Sequence, residues 1–169
     1  MVQGMSVFGL NYFKFYAFAL VAAALLVPTA GHAQSGPFNG YGGNWNGSGA
    51  ITIADSGTER IRCKGVYTVG SGGNALQQNI KCASDSYKFE LSSDVAASGN
   101  QIKGTWSEAS RNVNGTVEGS IAGQDITALV TTNGYAATFN VSTRGNKQNI
   151  SISSKGELRG VTIALTKGN

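Results

Sequence analysis

Few side chains in this chain are equipped for chemistry. The 169 residues include one histidine, His32, and two cysteines, Cys63 and Cys82. Lys14, the apolar run 15–27, Pro28 and the small-residue end Gly31-His32-Ala33 form the three-part pattern of an export signal, so residues 1–33 are expected to be removed. The run is short for a membrane span, which takes about 20 apolar residues. Cleavage would remove His32, and with it any mechanism that needs an imidazole base or metal ligand. No nucleophile–histidine pair can then be assembled, and Asp55 and Asp85 sit where turn chemistry accounts for them. The chain is accordingly expected not to be an enzyme, and to need no metal and no cofactor. In the oxidising surroundings of an exported protein, Cys63 and Cys82 are expected to form a structural disulfide.

The remaining candidates are binding residues. Tyr67, Gln78, Phe89, Trp106 and Phe139 share one parity along alternating runs, and their mixture of apolar and a few polar groups suits a small-molecule cavity. The same residues would equally fill a solid core. Tyr87, Glu108, Arg111, Tyr135, Glu157 and Arg159 share that inward parity near one end of the runs. Inward charges are costly unless paired or wet, so this end reads as an open mouth, or more plainly as a rim with ion pairs such as Glu108 with Arg111. On the opposite parity Arg60, Arg62, Lys64, Lys81 and Lys88 form a basic patch, which either meets an anionic partner or is simply solvated.

What positions these residues is a succession of strands. From Trp45 onward apolar and polar residues alternate, with Gly, Asn, Ser and Asp clusters about every 8 to 12 residues and no stretch at helical period. Ten strands are predicted, over 44–54, 59–69, 75–83, 86–95, 101–107, 112–121, 125–132, 135–143, 147–153 and 158–167. Short connections make sequential strands antiparallel, and two-residue turns set their register. Asn133-Gly134 places Val130 opposite Ala137 and Ala128 opposite Phe139; Gly145-Asn146 places Val141 opposite Ile150; Lys155-Gly156 places Ile150 opposite Val161. Counting back from the loop 70–74 sets Val69 opposite Leu76 and Cys63 opposite Cys82, a natural position for a cross-strand bridge. The same counting puts Lys64 opposite Lys81 and Lys81 opposite Lys88.

One apolar face repeated over ten meander strands implies an all-β, single up-and-down antiparallel barrel with that face inside. Glycines at the same parity, among them Gly47, Gly49, Gly65, Gly104, Gly115 and Gly119, let strands bend or leave interior room. The inverse, an outer-membrane barrel, is disfavoured by the short turns and by aromatics lying within strands instead of in two girdles. The expected organisation is a signal peptide over 1–33, a flexible lead over 34–43 and the barrel over 44–169. Without Lys14, twelve of the 13 Lys and Arg remain against nine Asp and Glu, a mild positive balance.

Gly43-Asn44-Trp45 on the first strand of an antiparallel meander resembles the Gly-x-Trp signature of the calycin superfamily, which includes lipocalins, avidins and fatty-acid-binding proteins. The resemblance implies a barrel that takes small ligands inside, with the Trp plugging a closed end beneath a basic side chain from the last strand. Arg159 has the parity for that role but falls at the opposite rim. A closing stagger of roughly 10 residues, ordinary for a small barrel, sets Lys167 against Trp45 instead. The whole mature chain is also similar to small exported proteins of proteobacteria.

The function expected from these readings is that of a secreted or periplasmic binding protein for a small apolar or amphipathic ligand, contacting it through Tyr67, Gln78, Tyr87, Phe89, Trp106, Phe139 and Arg159. The alternative is a protein- or envelope-interaction module, a small-barrel inhibitor or adaptor, acting through the basic face on an anionic envelope component or protein. A monomer is expected, not membrane-spanning after cleavage and without a nucleic-acid partner.

Overall fold

The structure is a computed structural model that describes residues 35–168; the expected export signal lies outside the described residues. Ten strands follow one another: β1 (Gly43–Ile53), β2 (Gly57–Val69), β3 (Ala75–Ala83), β4 (Lys88–Ser98), β5 (Gln101–Glu108), β6 (Val113–Ala122), β7 (Asp125–Thr132), β8 (Tyr135–Arg144), β9 (Lys147–Ser154) and β10 (Leu158–Lys167). Each pairs antiparallel with its sequence neighbour, and β1 pairs with β10, so the meander closes into a barrel. Closure leaves no free sheet edge.

Burial alternates along the strands. In β2 the inward residues Ile61, Cys63 and Tyr67 are buried while Arg60, Arg62, Lys64 and Val66 are exposed. This is the period-two pattern of a sheet with one dry face. Cys63 and Cys82 lie directly opposite each other on β2 and β3 and are bridged. Glycines on the inward face permit close strand approach: a Cβ at Gly49 would stand 1.8 Å from the carbonyl oxygen of Thr162 on β10.

The hairpin registers at Asn133-Gly134, Gly145-Asn146 and 70–74 pair the residues expected from counting. Two others are displaced by two residues. Ile150 faces Ile163, and Val161 faces Ile152, because the β9–β10 connection takes up more residues than a two-residue turn. Lys81 faces Glu90 and Lys88 faces Ala83, because the β3–β4 connection is a four-residue turn in which Ser84 Oγ accepts from the Ser86 and Tyr87 amides. Both shifts are even, so the apolar face is preserved and only the cross-strand partners change.

One end of the barrel is closed by residues 36–42, which fall within the lead expected to be flexible. They are anchored there. Gly36 N donates to Gly72 O and Phe38 N to Gly73 O, hanging the strap on the β2–β3 turn. Phe38 and Tyr41 are fully buried with their rings edge to face at 6.0 Å. Trp45 Nε1 donates to Tyr41 O at 2.8 Å, Tyr41 OH to Gln124 O, and Gln124 Nε2 to Asn39 O. Lys167 sits directly opposite Trp45 across the β1–β10 seam. Its Nζ lies 5.4 Å from the indole centroid, within cation–π range, and donates to Gly40 O at 2.8 Å.

Candidate functional site

The other half of the barrel is hollow. A cavity of about 470 Å³ runs inward from the end formed by the β3–β4, β5–β6, β7–β8 and β9–β10 connections. Its wall is mostly aliphatic and aromatic, with Ile51, Ile80, Leu91, Val117, Val130 and Ile152 contributed by strands whose inward positions converge on one axis. Ala128 and Ala137 face each other's neighbours on β7 and β8, and their short side chains leave space where larger ones would fill it.

Of the seven residues expected to contact ligand, Gln78, Tyr87, Phe89, Trp106 and Phe139 line this cavity. Gln78 Oε1 accepts from Ser93 Oγ at 3.1 Å across the β3–β4 pair, which orients its amide among aliphatic neighbours. Trp106 Nε1 donates to Thr131 O at 3.3 Å, and the indole lies over Gly115, where a Cβ would approach Nε1 to 2.8 Å. A glycine at 115 is thus what allows the indole to lie flat against β6. Tyr135 covers Gly156 at the rim, with its ring 3.4 Å from where a Cβ would stand.

Two residues fall elsewhere. Tyr67 is buried beside Trp45 in the closed half, with ring centroids 5.8 Å apart. Its hydroxyl donates to Gln148 Oε1 at 2.9 Å, and Gln148 Nε2 donates to Thr143 Oγ1 at 3.0 Å, a fully buried polar chain. Burial pushes the Tyr67 hydroxyl well above the ordinary tyrosine range. Arg159 is exposed and outside the cavity wall, and its expected inward orientation is corrected by a bulge. Thr52 pairs with Gly160 but Ile53 pairs with Leu158, leaving Arg159 as the extra residue. Leu158 turns inward in its place, and Arg159 Nη1 donates to Lys155 O at 3.0 Å.

The mouth is organised by Glu108. This carboxylate is 8% exposed, and its oxygens accept from the backbone amides of Glu90 (2.9 Å), Ser110 (3.0 Å) and Arg111 (2.9 Å). Burial by itself would raise its pKa, but the amide hydrogen bonds from Glu90, Ser110 and Arg111 together outweigh burial and hold the carboxyl below its ordinary value. The Arg111 guanidinium reaches it at 3.6 Å. Asn112 completes the turn with φ of +52°, a conformation that asparagine tolerates better than most residues. Thr132, Asn133, Tyr135 and Glu157 complete the rim. Among the described residues, no group of three or more His, Cys, Asp or Glu side chains could hold a metal ion.

Sequence reasoning missed the strap residues Phe38 and Tyr41, since a Gly-rich segment without alternation carries no strand signal. Ser93 and Leu158, which also line the cavity, were likewise not singled out, although Ser93 has inward parity.

Neither a protein-family model nor a curated protein matches the chain. Solved structures do. Rv2717c from M. tuberculosis superposes with a TM-score of 0.63 at 11% identity, over 78% of this chain and 94% of that one. The S-type phycobiliprotein lyase CPES from Guillardia theta superposes with a TM-score of 0.55 at 10% identity, over 78% of this chain and 90% of that one. Likeness at this identity shows the fold alone. It nevertheless corrects one expectation: a lyase is built on this barrel, so the lack of a histidine-centred arrangement does not place the chain outside the enzymes.

Proposed function

We propose that the barrel admits one small apolar or amphipathic molecule through the mouth bounded by Tyr87, Arg111, Tyr135 and Glu157, and that it works outside the cytoplasm. The observation that carries this reading is the cavity of about 470 Å³ with an apolar wall. Its size falls in the usual range of small-molecule sites, roughly 300–1,000 Å³, and its few polar groups are placed to orient a ligand more than to hold it. Gln78, fixed by Ser93, is the group that would orient the buried end. Aromatic rings from Tyr87, Phe89, Trp106 and Phe139 would supply contact area at small cost in side-chain entropy. The Cys63–Cys82 bridge and the export pattern of residues 1–33 support the location. A lyase on the same fold supports an interior that handles a small molecule, with chemistry at the mouth open as an outcome.

Native mass spectrometry of protein purified from its own host tests the proposal. One bound small molecule is expected, released by organic denaturation. Ala137→Trp, which fills the interior, is expected to abolish the adduct while the protein still melts cooperatively. Protein that is ligand-free from its host, and that takes up no apolar probe, would overturn the reading.

A further inference from the structure

The outer surface of the barrel carries a second built feature, independent of the cavity. Arg60, Arg62 and Lys64 occupy successive outward positions on β2. Alternate residues of a strand stand about 6.6–6.8 Å apart, so the three cations form a straight row. Among the described residues none of the three has an acidic partner. The register narrows the basic patch expected from sequence to this row, since Lys81 is paired with Glu90 at 3.0 Å and Lys88 sits opposite Ala83.

Beside the row lies a shallow groove of about 520 Å³ across β1, β10, β9, β8 and the start of β7. The pairing makes row and groove continuous. One line runs Arg62, Ser48, Ala164, Asn149 from strand to strand, and the next runs Arg60, Ala50, Thr162, Ser151. A third line, Lys64, Asn46, Thr166, Lys147, puts a further cation along the border near the closed end. The groove's outward side chains carry hydroxyl, amide and methyl groups, and the four large aliphatic residues that also line it, Ile126, Val141, Ile150 and Ile163, are buried. Its one carboxylate, Asp125 at the far edge, is bound by Arg144 at 2.8 Å.

We propose that this face binds an acidic polysaccharide, whose carboxylates would meet the Arg60–Arg62–Lys64 row while its hydroxyls meet the groove floor. Charge complementarity sets the sign of the partner, and bidentate guanidinium–carboxylate pairing suits the two arginines. The floor selects the class. A lipid surface is engaged by apolar side chains beside the basic ones, and the exposed large hydrophobics Val66 and Leu129 do not line the groove. Single-stranded nucleic acid is held by exposed aromatic platforms, and no aromatic lines this groove.

The test is calorimetric titration of the purified protein with polygalacturonate, with neutral dextran and with phosphatidylglycerol vesicles. Polygalacturonate is expected to bind, more weakly as salt is raised, and dextran is not. The combined Arg60→Gln, Arg62→Gln and Lys64→Gln variant should lose about tenfold or more in affinity, three charge-assisted contacts being removed. The combined Lys81→Gln and Lys88→Gln variant should change it little. Ala164→Trp, placed on the exposed floor, should weaken binding at an unchanged melting temperature. Equal losses in both charge variants, full affinity in the triple variant or in Ala164→Trp, or binding to the vesicles in place of the polyuronate would each overturn the proposal.

Discussion

At the scale of single residues, Glu108 shows how one side chain can build a rim. Its carboxylate satisfies three backbone amides of two different segments, tying the start of β4 to the β5–β6 turn and presenting Arg111 at the mouth. Glu108→Ala is expected to cost about 1–3 kcal/mol, the usual penalty for orphaned buried donors, measurable by urea denaturation. The same carboxylate makes stability depend on pH. Its folded pKa lies below the ordinary 4.5, so the stabilisation is complete above about that pH and is lost as pH falls through the lower folded value. A melting profile of Glu108→Gln should show a shallower decline in that acid window than the parent protein. Asp125, lowered by its hydrogen bond from Arg144, acts in the same direction but is exposed and contributes little.

At the scale of elements, the strap and the cross-strand bridge hold opposite ends of β3, the strap on the β2–β3 turn at the closed end and the bridge beside the β3–β4 connection at the mouth. The strap contributes no strand, yet it buries Phe38 and Tyr41 completely against the closed half. Phe38→Ala should destabilise by about 3–5 kcal/mol, the range for removing a buried aromatic ring, read by chemical denaturation with an unchanged far-ultraviolet spectrum at low denaturant. The bridge joins β2 to β3 across 19 residues. Cys63→Ser should cost about 2–5 kcal/mol, as for other small secreted domains, and reducing agent should lower the parent's melting temperature by a matching amount.

At the scale of the whole molecule, the barrel is solid at one end and hollow at the other, and this polarity assigns roles. The end capped by Trp45, Lys167 and the strap holds the fold together, while the end organised by Glu108 leaves the interior accessible. A ligand inside the hollow half binds the folded chain and not the unfolded one, so it adds stability by mass action, about 2.7 kcal/mol at a hundred times its dissociation constant. If the proposed ligand is bound, protein treated with hydrophobic resin should therefore melt below protein as isolated, and adding the extract back should restore the difference.

The alternation of residue types determined the face of every strand, because a sheet side chain has only two directions and only one of them is dry. From that alternation and the turn lengths came the meander, the Cys63–Cys82 pairing and the stagger that sets Lys167 on Trp45, all local or countable quantities. Tertiary structure decided what counting cannot reach. A bulge at Thr52/Ile53 turns Arg159 out and Leu158 in, since an inserted residue reverses parity downstream without marking the sequence. The Ser84 turn exchanges a Lys81–Lys88 clash for a Lys81–Glu90 ion pair. The strap finds its place only once the β2–β3 and β6–β7 turns exist to hold it. The hollow itself is a property of all ten strands at once: parity says which side chains point inward, and only their convergence on a common axis decides how much of the interior they fill.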